Sequence, residues 1–499
     1  MLARRYPAAS IAQRMLAAQP ALRRNFSNSS TLHLASPNRD LESSRSSSEF
    51  TVSEATGFLP RHDPLPMLPS YFERLEELLH EMPISKGDGT YGLLHSGRFG
   101  ERIERELPLY DVGFIFDSRI LSALYRDYTF LASAYLLEPC DIQFRLARNY
   151  GLARRILPAN IAVPLETIAA RLNARPFLEH SMSFTFYNYR RKDASQPITV
   201  DNIEPIRRFS GCDAEHSYIV GHVAAAQRTG SMVSAAQGIL KSVRSNDRPA
   251  FDGAMREYTS AMSQVNDILS HTLKNTNEYA SFRTFLNGCS KNQPMFSNGV
   301  LYETSSACPL GSGQLPRHYL GVAQSSNPIA SLGTHLFQLS NLSPRGTLPC
   351  ASSNNGVDSL RPENYQTFLA HINAESRALG VQTFALGSPT SSVEYMAALD
   401  QVLAYRYRQW ANLRDSIPLQ SSGKSVAFRD YFDVQTRHVR DVAELVHRTH
   451  ANTDTELLTP EHRARAESIV HRAEMVRRSL NRIITDPETA PLAMSMIAY

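Results

Sequence analysis

A chain of 499 residues, 42% apolar and 20% charged, is long enough for two or three domains around a large core and has an ordinary globular composition. Its net charge of +4 is small for that length and sits largely in the first fifty residues, so no nucleic-acid-binding surface is read from it. The five cysteines (Cys140, Cys212, Cys289, Cys308, Cys350) are scattered, with no CxxC or Cys/His ligand spacing; they suggest neither a disulfide framework nor a zinc site.

Residues 1–39 carry Arg4, Arg5, Arg14, Arg23, Arg24 and Arg39 and no acidic residue. With Ala, Ser and Leu filling much of the rest, this is the composition of a mitochondrial presequence cleaved near Arg23-Arg24-Asn25-Phe26-Ser27; the alternative is a disordered basic tail on a cytoplasmic protein. Residues 40–57 read as a Ser/Glu/Arg-rich linker. No apolar run approaches the roughly 18–20 residues needed to span a bilayer. From residue 58 the pattern is mainly helical. Apolar residues recur at helical spacing over Tyr71–Leu79, Ile120–Leu137, Glu215–Ser242, Phe251–Leu286, Glu363–Leu379, Ser391–Leu413 and two segments after 429. Short strands are expected near 181–189 and 198–200, and Pro/Gly-rich loops at 309–315, 341–350 and 353–362. The division expected is a small helical domain at 58–160, a connection at 161–176, a large helical domain at 177–425 and a C-terminal helical extension at 426–499. The fold class expected is all-α with two domains.

Three places on these helices carry chemistry. Tyr218 and His222 are four residues apart and share a helix face; an aromatic beside a polar ring suits a flat ligand with one hydrogen-bonding edge, and core packing gives the same spacing. Arg283 falls among Tyr279, Phe282 and Leu286, so its guanidinium leaves an apolar face and needs an anion, either a ligand carboxylate or an internal Asp or Glu. Leu399, Val402, Arg406, Gln409, Trp410 and Leu413 fall on one helical face, which turns the Gln409 amide inward. Either backbone neighbours satisfy it or it marks a cavity whose anchoring residue has been exchanged.

Four blocks resemble indoleamine 2,3-dioxygenase, in order and spacing, along roughly 58–425: Arg126-Asp127-Tyr128-Thr129-Phe130-Leu131-Ala132-Ser133-Ala134-Tyr135-Leu136-Leu137-Glu138-Pro139-Cys140, Leu157–Leu165, Phe282-Arg283-Thr284-Phe285-Leu286-Asn287-Gly288, and Gln293–Glu303. The resemblance implies a small N-terminal domain packed on a large helical domain that holds haem b. It implies an O2-dependent cleavage of the indole C2–C3 bond of L-tryptophan to N-formylkynurenine, with the small-molecule indole and O2 as partners. On this resemblance Tyr218 packs the indole, His222 lies on the distal side, Arg283 binds the amino-acid carboxylate, and Ser422 belongs to the loop that closes on substrate.

The departures are as specific as the matches. The axial histidine of the family coincides with Gln409, a poor ligand for ferrous haem. The aspartate behind it coincides with Thr334, which removes the carboxylate that makes an axial imidazole more basic. Gln324 lies in the segment over the pocket, and Lys424 replaces a glycine of the closing loop. These exchanges leave several expectations open: haem ligation by His222 or Tyr405 instead of Gln409, a catalytically impaired indole-binding or regulatory protein, or an enzyme specialised for another indole.

Overall fold

Glu363–Leu379 has the bounds its apolar periodicity predicts, and the helices at Tyr71–Leu79 and Ser391–Leu413 lie within two residues of theirs, whereas the helix at Ile120–Leu137 runs on to Ala147. The computed structural model describes residues 49–273, 280–289, 294–296, 298–303, 315–319, 321–322, 327–339, 361–415 and 426–485. In chain order the helices are α1 (Glu73–Glu81), α2 (Leu93–Ser96), α3 (Phe99–Glu106), α4 (Ser118–Ala147), α5 (Ala159–Arg171), α6 (Asp213–Ala226), α7 (Thr229–Ser245), α8 (Arg248–Thr272), α9 (Ala280–Arg283), α10 (Pro328–Leu336), α11 (Glu363–Leu379), α12 (Val381–Leu386), α13 (Pro389–Asp415), α14 (Val426–Ala451) and α15 (Pro460–Thr485). The strands are short: β1 (Ile156–Leu157) pairs in parallel with β4 (Leu301–Tyr302), and β2 (Tyr189–Arg191) antiparallel with β3 (Ile203–Pro205). The described residues are all-α in class, as the sequence implies. No helix among them is long and apolar enough to cross a membrane.

Helix α4 starts where the Asp117 carboxylate accepts the Arg119 and Ile120 N–H groups. It runs through Pro139, which has no N–H to give the Tyr135 carbonyl. Arg154 donates to that carbonyl instead, and it also reaches Glu138 at 2.7 Å. The other Glu138 contacts are the Phe99 and Gly100 N–H groups at 2.7 and 2.9 Å, the open donors at the start of α3. One buried carboxylate thus fixes two helices. Fully buried Asp127 on the same helix is compensated by Arg126 and Arg207, which hold its carboxyl below the usual range against the cost of burial.

Several expectations shift. Packing begins before residue 58, inside the segment read as linker: Phe50 is buried, its ring 5.5 Å from Tyr187 and 6.3 Å from Tyr365. The connection expected at 161–176 is mostly helix, because Pro158 precedes the first turn of α5 and Pro164 is accommodated within it. The pattern at Glu215–Ser242 divides between α6 and α7. Strands lie later than 181–189 and 198–200, and His180–Phe184 forms a π-helical turn instead. Its cause is the Glu179 carboxylate, which accepts the N–H groups of Ser181, Met182 and Ser183. Burial pushes that carboxyl up to about 8, although the three donors pull the other way.

The two C-terminal helices complete the outer side of α13. On α15 the buried residues Ala466, Ile469, Ala473, Val476 and Leu480 recur at alternating spacings of three and four, and each large apolar side chain so buried contributes about 1.5–3 kcal/mol. Arg465 and Arg472 of α15 reach Glu394 and Asp400 of α13 at 3.0 and 2.7 Å. Both carboxylates are 1–2% exposed; Arg472 neutralises Asp400, and Arg465 shares Glu394 with Arg256 of α8 at 3.2 Å.

Candidate functional site

Helix α6 begins where the Cys212 sulfur accepts the Glu215 N–H, and buried Glu215 ties the preceding turn through the Phe209, Ser210 and Gly211 N–H groups. It approaches α8 closely at Gly221, where a Cβ would come 2.2 Å from the Thr272 hydroxyl oxygen. That contact fixes the rotation of α6, and with it the direction of Tyr218 and His222.

The two side chains do share a face. Their ring centroids are 4.2 Å apart. Around Tyr218 stand Phe184 of the π-helical turn at 5.7 Å and Phe282 of α9 at 5.9 Å, and these two phenyl rings are 6.2 Å from each other. Such spacings are those of interacting aromatic pairs, so the group forms one apolar box. His222 contributes its polar edge. Its Nδ1 lies 2.7 Å from the Tyr218 carbonyl, which can only accept, so Nδ1 carries the proton and Nε2 carries the lone pair. Burial pushes the imidazole down to about 4, opposed by that hydrogen bond, which keeps the ring neutral near pH 7.

Sequence reasoning missed His180. It sits on the π-helical turn, fully buried, its centroid 5.4 Å from both His222 and Phe186 in edge-to-face arrangements. Neither ring nitrogen has a hydrogen-bond partner among the described residues. The signal was a histidine one turn ahead of the aromatic run Phe184-Thr185-Phe186-Tyr187; reading 181–189 as a strand left it at the margin.

Arg283 follows Phe282 at the end of α9 and is half-buried, within electrostatic reach of the Tyr150 hydroxyl. Its predicted neighbour Tyr279 lies outside the described residues, and so do Ser422, Lys424 and Gln324. Because α9 has only four residues and passes into a 3-10 turn at Thr284–Leu286, the helical phase that grouped Arg283 with Leu286 does not persist.

On α13 the predicted inward face divides. Arg406 donates to the Thr334 hydroxyl of α10, which itself donates to the Ala330 carbonyl at 2.7 Å. Trp410 turns the other way and donates its indole N–H to Thr436 of α14 at 2.8 Å. Gln409 lies between them and is half-buried rather than enclosed. Helices α10 and α13 approach closely at Gly333, where a Cβ would meet Val402 and the Tyr258 hydroxyl oxygen at 2.9 Å. Tyr405, one turn before Gln409, is fully buried, and desolvation raises its phenol well above the ordinary value despite Arg408, Arg406 and Gln409 nearby. That environment favours the protonated phenol in the metal-free protein. Imidazoles stand nearby, His335 on α10 and His438 on α14 within electrostatic reach of Arg406, but the donors at the two positions themselves, Gln409 and Thr334, are an amide and a hydroxyl. They do not fit a haem held by an axial imidazole backed by a carboxylate.

The chain is similar in sequence to known proteins. Human indoleamine 2,3-dioxygenase 2 is 24% identical over 272 residues, which cover 52% of this chain and 60% of that protein. Mouse indoleamine 2,3-dioxygenase 1 is 22% identical over 257 residues, covering 50% of this chain and 58% of that protein. The matched stretch thus spans about 60% of the length of these relatives. The indoleamine 2,3-dioxygenase family itself matches residues 46–409, from the first packed segment to Gln409 on α13, and takes in α6, the π-helical turn, α9 and α10. On that match, over most of its length, the chain belongs to the indoleamine 2,3-dioxygenase family.

Proposed function

We propose that this protein binds an indole amino acid in the box formed by Tyr218, Phe184, Phe282 and His222. Its inherited reaction is insertion of both atoms of O2 into the indole C2–C3 bond of L-tryptophan, giving N-formylkynurenine. In this chain the reaction is slow, because α13 carries Gln409 where haem b needs an imidazole. The observation that carries the reading is the aromatic box with the His222 Nε2 lone pair at its edge. A flat ring packs against the Tyr218 and phenyl faces, and the indole N–H donates to Nε2. Arg283, next to Phe282, supplies a planar fork for the carboxylate. A second reading, an indole-binding or regulatory protein without turnover, is favoured by the Arg406–Thr334 contact, which occupies the place of the carboxylate behind the iron ligand.

Calorimetric titration of the protein with L-tryptophan tests the binding step. Saturable binding is expected; heat no larger than the dilution of ligand, for both L-tryptophan and indole, overturns the proposal. The carboxylate anchor has its own test. Arg283→Ala is expected to weaken L-tryptophan by ~1.5–3 kcal/mol, the worth of a hydrogen bond to a charged group, and to leave indole nearly unchanged. Equal losses for both ligands would assign Arg283 a structural role.

We further propose that residues 1–39 direct the chain to mitochondria. The arginine-rich, acid-free composition supports this. Mass spectrometry of the protein isolated from mitochondria is expected to show a new N-terminus between about residues 25 and 40; an intact Met1 in the cytosolic fraction contradicts it.

A further inference from the structure

His180 has no role in the site just described, and its environment asks for one. It is fully buried, and both ring nitrogens lack a partner among the described residues. A neutral imidazole has one N–H donor and one acceptor nitrogen, and enclosing both without partners costs about 1–3 kcal/mol each. Such a group calls for an explanation such as a bound water or a ligand. The hydroxyl of Ser181 on the same turn is likewise buried without a partner among the described residues. The turn that presents them is π-helical and is held in that form by three N–H contacts to Glu179; π-helical turns of this kind concentrate at functional sites.

The position of His180 narrows what it could meet. Its ring is 5.4 Å from that of His222, at an interplanar angle of 81°. Two imidazoles this close serve two hydrogen-bonding groups only a few ångströms apart on one ligand. If the ring N–H of an indole donates to His222 Nε2, the second group must lie on the same edge of the bicycle, on a benzo-ring carbon beside the N–H. A hydroxyl there can both donate and accept, so it satisfies whichever His180 nitrogen faces it.

We propose that His180 is a specificity-determining residue, which with His222 forms a two-imidazole wall selecting indole amino acids hydroxylated on the N–H side of the benzo ring. This rests on the indole reading of the box and adds the substituent to it.

The test is calorimetric binding of L-tryptophan, its 7-hydroxy derivative and its 4-hydroxy derivative, the last carrying the hydroxyl on the opposite side. The wild type is expected to prefer the 7-hydroxy over the 4-hydroxy compound by about threefold to tenfold, the worth of one net hydrogen bond. His180→Phe is expected to abolish that preference, and His180→Asn, which keeps a donor and an acceptor, to retain part of it. Circular dichroism and the unfolding midpoint of each variant confirm an intact fold, and His180→Asn carries the test if His180→Phe does not fold. Saturable binding of all three compounds with no preference in the wild type, or a preference that survives in both variants, overturns the proposal and leaves the indole reading standing. Failure of the wild type to bind any of the three overturns both.

Discussion

Replacing Gln409 by histidine is expected to raise haem affinity at least about tenfold, or ~1.4 kcal/mol, because an imidazole donates to ferrous haem far better than a neutral amide. The helix that would carry it is otherwise ready. Arg406 is held by Thr334, Trp410 by Thr436 and Arg408 by Asn266, so position 409 is fixed on three sides by partners on α10, α14 and α8. Adding Thr334→Asp places a carboxylate against Arg406, and outer partners of this kind are typically worth 10–100-fold in metal affinity. Haemin titration followed by visible absorption checks both steps. The order expected is wild type, then Gln409→His, then the double variant. A wild type that matches Gln409→His would mean that another residue already supplies the axial ligand.

The second large effect lies far from the pocket. Arg472→Ala is expected to destabilise the protein by about 3 kcal/mol, the low end for removing one partner of a buried ion pair, since the guanidinium is partly solvated. Asp400 is 2% exposed and receives Nε and Nη2 of Arg472 at 3.1 and 2.7 Å, so the substitution strands a buried carboxylate. Asp400→Asn together with Arg472→Ala should recover part of the loss, because the uncompensated charge is gone. Urea unfolding of the two variants measures this. A loss under about 1 kcal/mol for Arg472→Ala would place the pair among ordinary surface bridges. A loss of the expected size makes α15 a structural part of α13, the helix that carries Gln409.

The helices were legible because their apolar residues recur at the right interval. Glu363–Leu379 and the body of α13, read as Ser391–Leu413, follow from periodicity alone, as do Tyr218 and His222 on one face of α6. What escaped was set by contacts between elements distant in sequence. The single face assigned to Arg406, Gln409 and Trp410 splits because α10 packs on one side of α13 and α14 on another, and periodicity does not reveal that two partners compete for one helix. The neighbours predicted for Arg283 assumed an unbroken helix from Phe251, whereas α8 ends at Thr272 and α9 is a single turn. His180 was hidden most completely. A π-helical turn has neither the period of a strand nor that of an α-helix, and the Glu179 carboxylate that imposes it sits one residue upstream with nothing in its spacing to announce a cap. The family resemblance supplied the reaction and the role of position 409; the exchange at that position was visible in the sequence, and its consequence required the neighbours Thr334 and Tyr405 in space.

The central claim is that the indole pocket persists while α13 has lost the iron's anchor. The rate of N-formylkynurenine formation from L-tryptophan by haemin-supplemented wild-type protein, under reductant and O2, tests it most directly. The account predicts a rate close to that of free haemin under the same conditions, from protein that binds L-tryptophan saturably. Sustained turnover well above that background, by the wild type and without any substitution at Gln409, would contradict it.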